Sequence, residues 1–170
     1  MQLMSNVSRH MKRLLVSVLI ALPALSASPA EVKEWATAIS RQSGTDRAIV
    51  FRYAKAFRKG FQQSMLPERV VIVWRYKSDS GMPVLHERES MDRMEDLLAS
   101  LVEKPGVSVL ALVSTGENLR EWTFYTKSEG EFFVELNKAL AGQPKFPIEI
   151  RAAQDPEWST FERFRKGVRE

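Results

Sequence analysis

The chain has 170 residues, 44% hydrophobic and 27% charged, which suits one globular domain large enough to bury a core. It has no cysteine, which excludes disulfides, a thiol nucleophile, a lipid-modified cysteine and every cysteine-based metal site. The formal net charge of +4 does not indicate nucleic acid: Arg9, Lys12 and Arg13 lie in the first 30 residues, which hold no acid, and 22 basic residues then face 21 acidic ones, a net +1 that is too little to neutralise phosphates.

The N-terminal stretch RHMKRLLVSVLIALPALSASPAE sets basic residues before an apolar run from Leu14 to Leu22, followed by Pro23 and small residues. That order is the pattern of a secretory signal peptide, and the run is shorter than the ~20 residues that span a bilayer. Residues 1–27 are therefore expected to be removed by cleavage after Ala27, with Met11 as an alternative start. The expectation is a periplasmic or secreted protein whose single α+β domain covers 28–170, with no stable membrane span after cleavage.

EWATAIS at 34–40 and AIVFRY at 48–53 read as two strands joined by the turn SGTDR, an N-terminal hairpin. Residues 54–68 have no clean period and contain Gly60 and Pro67, so they are expected to form a loop. RVVIVWRY at 69–76 is a continuous apolar strand of the kind covered on both faces. From Glu87 to Glu103 the period becomes helical, with Met91, Met94, Leu98, Leu101 and Val102 on one face. VSVLALVS at 107–114 and REWTFYT at 120–126 form a second hairpin through the loop TGENL at 115–119, its turn placed at Thr115-Gly116. Ser128 and Glu131 make a capping box for a helix burying Phe132, Phe133, Leu136 and Leu140, closed by Gly142. FPIEIRA at 146–152 is the last strand, and Asp155-Pro156 begins a short final helix carrying Trp158, Phe161 and Phe164.

From residue 69 the order strand, helix, strand, strand, helix, strand predicts a ferredoxin-like βαββαβ core, with the hairpin added before it and the short helix after. Alternation in REWTFYT puts Trp122 and Phe124 under the helices and turns Glu121, Thr123 and Tyr125 to an open sheet face. Neighbouring strands bring Arg75, Glu149 and Arg151 to the same face. These five, Arg75, Glu121, Tyr125, Glu149 and Arg151, form either a solvated surface with cross-strand ion pairs or a site for a polar ligand or partner. Val71 and Val73 are too apolar for a wet face and call for the hairpin, a second subunit or a partner above them.

Across residues 33 to 165 the motifs VVIVWRY, GMP, MEDLL, STGENLREWTFYT, FFVELNKAL, FPIEI and DPEWSTFERF together resemble the domain of unknown function 695 family. The resemblance implies an α+β fold and no established activity. Some relatives carry a domain similar to an inhibitor of ribonuclease E, which implies a regulatory binding role. An exported chain departs from that, because cytoplasmic ribonucleases are out of its reach.

For catalysis the mature chain offers one histidine, His86, one helical turn from Glu89. It contains no nucleophile-elbow motif, phosphate loop or dinucleotide fingerprint, so no cofactor or metal is expected. The basic run RYAKAFRKG at 52–60 suits an acidic partner or lipid surface, or is simply a solvated loop. The leading expectation is a non-catalytic module that binds a protein partner, a second copy of itself or a small polar ligand through the sheet face. A hydrolase built on the Glu121 and Glu149 carboxylates and a structural envelope protein are the alternatives.

Overall fold

A computed structural model describes residues 30–41, 47–102 and 104–168. The expected signal peptide and most of the 43–47 turn lie outside the described residues. The elements in chain order are β1 Val32–Arg41, β2 Ala48–Phe57, β3 Glu68–Arg75, α1 Leu85–Val102, β4 Ser108–Gly116, β5 Leu119–Thr126, α2 Glu129–Leu140, β6 Ile148–Gln154 and α3 Ser159–Gly167. All six strands join one sheet in the order β1-β2-β4-β5-β3-β6, and every neighbouring pair is antiparallel. The fold among the described residues is thus α+β, with one six-stranded antiparallel sheet and three helices.

Period-two alternation along the strands divides most of the buried strand side chains between two cores. Val70, Ile72 and Trp74 of β3, Trp122 and Phe124 of β5, and Leu110 and Val113 of β4 lie on one face with Met91, Met94, Leu98 and Leu101 of α1 and Phe132 and Leu136 of α2. This is the pairing expected from the helical spacing. At the start of α2, Ser128 Oγ accepts a hydrogen bond from the Glu131 amide at 3.3 Å, and Gly142 follows the helix with φ of 73°.

The opposite face holds a second core of Tyr53, Leu66, Val109, Ala111, Leu112, Tyr125, Trp158 and Phe161. A register shift between Leu110 and Leu112 opposite β5 lets β4 give both Ala111 and Leu112 to this side. The cover over it is α3 with the segment leading into it. The β1–β2 hairpin, one of the covers considered for this face, instead extends the sheet edgewise by pairing β2 with β4. A stripe of Trp158, Phe161 and Phe164 at three-residue spacing needs an apolar partner surface, and this sheet face supplies it.

Three local expectations change. The β4–β5 turn is Glu117-Asn118, both left-handed at φ of 51° and 63°, rather than Thr115-Gly116. Gly116 ends β4, where a Cβ would stand 2.4 Å from the carbonyl oxygen of Ala48, so glycine is required by the close approach of β2. Within 54–68 the strand continues to Phe57 and a 3-10 turn covers Gln63–Met65, because Phe57, Phe61 and Leu66 have the Trp158 core to pack against. Finally, α3 begins after Trp158, itself left-handed at φ of 53°, and not directly after Asp155. Asp155 still caps it, Oδ1 accepting from the Ser159 amide at 2.7 Å and Oδ2 from the Thr160 amide at 3.2 Å.

Candidate functional site: the sheet face and a cleft beside α1

Cross-strand register aligns the expected site residues in rows. Val73 of β3 stands between Glu121 of β5 and Glu149 of β6, and Val71 between Thr123 and Arg151. Glu149 accepts from Arg75 Nε at 3.2 Å and Arg151 Nη2 at 3.4 Å, with all three side chains more than half exposed. Such a wet trio contributes little to stability and is readily screened. Glu121 is half-buried and makes no hydrogen bond or ion pair among the described residues.

Tyr125 does not face the open. It is fully buried, its ring stacked on Trp158 at 3.8 Å and 8°, and its hydroxyl donates to Asp155 Oδ2 at 2.9 Å. Alternation gave its side of the sheet correctly, but α3 closes that side at this end. The structure therefore separates the five residues: Arg75, Glu149 and Arg151 form an exposed cluster, Glu121 sits inboard of it, and Tyr125 belongs to the core. Val73 is likewise buried and Val71 half-buried.

Burial, and next the bond to Asp155, pushes the Tyr125 phenol up. Burial pushes Asp155 up as well, but the Thr160 amide, the Tyr125 hydroxyl and the Ser159 amide together outweigh it and hold the carboxyl below its usual range. A depressed folded pKa means stability that is complete above the unfolded carboxylate value of about 4 and is lost as pH falls through the folded one. Urea unfolding at pH 7 and pH 3 checks this. The wild type is expected to lose more stability across that interval than Asp155→Asn, whose neutral side chain cannot titrate. Equal losses in the two proteins contradict the assignment.

The basic run at 52–60 is not one free patch, because three of its four basic side chains are paired with carboxylates. Arg52 turns to the helix side and pairs with Glu95, Lys55 pairs with Glu34 at 3.1 Å, and Arg58 pairs with Glu31. His86 and Glu89 are exposed on α1, and no group of three or more metal-ligating side chains occurs among the described residues.

Sequence reasoning missed a cleft on the helix side. Because β1 and β2 carry the sheet beyond β4, where α1 packs, the inner surface of the hairpin faces the flank of α1 across a gap. Its cavity is about 260 Å³, walled by Val32, Trp35, Leu98, Ala99, Leu110 and Phe124, with Arg52, Glu95 and Asp96 as polar neighbours. The Arg52 guanidinium lies over the Trp35 ring, 4.9 Å from its centroid. Glu95 accepts from Arg52 through Oε1, and from Arg120 Nη2 and Trp122 Nε1, both at 2.7 Å, through Oε2. At the other end Glu31, 2% exposed, accepts from the Gly106 amide at 3.0 Å and Arg58 Nη2 at 3.1 Å. Arg58 Nε also stands 2.6 Å from Glu31 Oε2, an ion-pair contact whose angle makes no hydrogen bond. Asp96 is exposed and has no ion-pair partner among the described residues. A hint of this site in the sequence is Trp35, a large aromatic followed on its strand by the small residues Ala36, Thr37 and Ala38.

The architecture defines an α+β domain built on a single antiparallel sheet with a core on each face. The chain belongs to a family of unknown function, DUF695, whose model matches residues 33–164. No curated protein and no solved structure matches it.

Proposed function

We propose that the protein is an exported, non-catalytic binding module whose cleft beside α1 receives an apolar or aromatic group bearing a cationic end. The observation that carries this is the contrast within the cleft wall. Its interior is apolar, Glu31 and Glu95 are committed to structural partners, and Asp96 alone offers an exposed carboxylate without an ion-pair partner among the described residues. The hydrolase reading needs Glu121 and Glu149 as a pair, but Val73 stands between them and Glu149 is held by Arg75 and Arg151, which favours binding. A cavity of this size admits one side chain or a small molecule rather than a large cofactor. Export is supported by the signal-peptide pattern before residue 28. A ferredoxin-like core is supported by the strand order β4-β5-β3-β6 with α1 and α2 as its connections.

Two probes of opposite charge, phenethylamine and phenylpropionate, test the reading by NMR titration. The amine is expected to shift the Trp35 indole and Ala99 amide resonances and the carboxylate to leave them in place. Asp96→Lys should weaken amine binding about fivefold, the upper end for a partly exposed ion pair, and Ala99→Phe should block it by filling the cavity. Equal response to both probes, or shifts confined to the opposite sheet face, rejects the cleft.

A further inference from the structure

We infer that β1, whose outer edge has no strand beside it among the described residues, is a self-association surface on which a second copy of this chain pairs antiparallel about Thr37. This goes beyond the cleft reading and does not depend on it. A free strand edge presents unpaired backbone groups, and proteins usually blunt it with charge, proline, shortness or a bulge. The β6 edge shows such devices: seven residues that follow Pro147 and carry the exposed Glu149–Arg151 pair. β1 has ten residues, and its middle from Trp35 to Ser40 holds no charge and no proline. Its register shifts against β2 fall between Val32 and Trp35, leaving the stretch from Trp35 to Arg41 regular.

The side chains of that stretch complement themselves. Thr37 and Ile39 lie opposite Arg52 and Val50 of β2, and Arg52 points to the helix side, so Trp35, Thr37 and Ile39 share that side. Trp35 is 39% and Ile39 56% exposed, two of the few large apolar side chains left to solvent. A two-fold axis perpendicular to the sheet at Thr37 sets Trp35 of each copy against Ile39 of the other on this side. On the reverse side it sets Ala36 against Ala38. Aromatic pairs with β-branched residues are favourable cross-strand neighbours, and the symmetry makes the pair twice. The second copy would also bring its Ile39 beside Trp35 at the rim of the cleft, so each site would be completed by its neighbour.

Sedimentation of the purified protein tests this, with circular dichroism to show that the surface variants stay folded. The wild type is expected to pass from monomer to dimer with rising concentration. Thr37→Lys and Thr37→Glu each place like charges directly opposite and should raise the dimer dissociation constant about fivefold. Their equimolar mixture should recover at least wild-type affinity, because Lys then faces Glu. Ile39→Asp removes both Trp35–Ile39 pairs and should weaken the dimer about thirtyfold. A monomer up to about 1 mM, weaker than any stable pairing, overturns the inference and leaves the β1 edge for a strand of a different protein. A dimer indifferent to all three substitutions, or a mixture that fails to recover, overturns it equally. Amine binding in the cleft of a monomer would leave the functional reading standing.

Discussion

Trp158→Ala is expected to lower the unfolding free energy by about 3–5 kcal/mol, the range for removing a large buried aromatic side chain. Trp158 is wholly buried between the sheet and α3, stacked on Tyr125 and edge-on to Phe57, Phe61 and Phe161. Its indole nitrogen donates to the carbonyl oxygens of Gln63 at 3.0 Å and Leu66 at 2.9 Å, so truncation also strips two loop carbonyls of their donor. Against a typical domain stability of about 5–15 kcal/mol that is a large fraction. The backbone adds a second signature. With φ of 53° the residue sits in a left-handed conformation that disfavours side chains with a Cβ. Trp158→Gly should therefore come out less destabilising than Trp158→Ala, reversing the order seen at ordinary positions. Urea unfolding of the three proteins measures both effects. A loss under about 1 kcal/mol for alanine means that α3 is peripheral to the fold.

That arrangement shows how far pattern carries. The alternation of REWTFYT divided Trp122 and Phe124 from Tyr125 and Glu121 correctly, and the spacing of Met91, Met94, Leu98 and Leu101 gave the buried stripe of α1. Both follow from local geometry, which sequence spacing reports directly. What covers a face is a long-range matter. The stripe of Trp158, Phe161 and Phe164 announces that α3 must bury something, but no local signal says that the surface is Tyr125, Tyr53 and Phe51. The pairing of β2 with β4 is equally non-local, and it creates the cleft. For that reason the Arg75, Glu149 and Arg151 cluster was legible from alternation while the Trp35 and Arg52 site was not. The β4–β5 turn was misplaced because its two left-handed positions are taken by Glu117 and Asn118, where glycine is the usual marker.

The helix-side core solves a recurring problem of burying indoles. Trp74 and Trp122 each need an acceptor for Nε1, and α1 supplies one carboxylate apiece: Glu87 at 2.6 Å and Glu95 at 2.7 Å. Glu87 and Glu95 are eight residues apart, a little over two helical turns, so both reach down from the same side of α1. The helix is thereby registered on the sheet by polar as well as apolar contacts. The flank that bears Glu95 is also the flank that borders the cleft.

Removing that carboxylate should reveal the dependence. Glu95→Ala is expected to destabilise the protein by about 2–3 kcal/mol, below the 3–5 kcal/mol of a fully buried pair because the Glu95 side chain is 20% exposed. The loss has three parts: the buried Trp122 indole loses its acceptor, Arg120 loses one of its two carboxylates and keeps Asp92 at 2.8 Å, and Arg52 over the Trp35 ring loses the Glu95 charge. Glu95→Gln retains an acceptor oxygen but not the charge, so about half the loss should return. Arg52→Met should be milder still, near 1 kcal/mol, because Glu95 then keeps Arg120 and Trp122 while the aliphatic chain still covers Trp35. The order Glu95→Ala, Glu95→Gln, Arg52→Met is therefore the diagnostic, read from urea midpoints at constant slope. Glu89→Ala on the exposed side of α1 is the control, expected within about 0.5 kcal/mol of wild type. If Glu95→Ala proves no worse than that control, Glu95 does not anchor α1 to the sheet, and the cleft wall is not held in the geometry that the binding proposal requires.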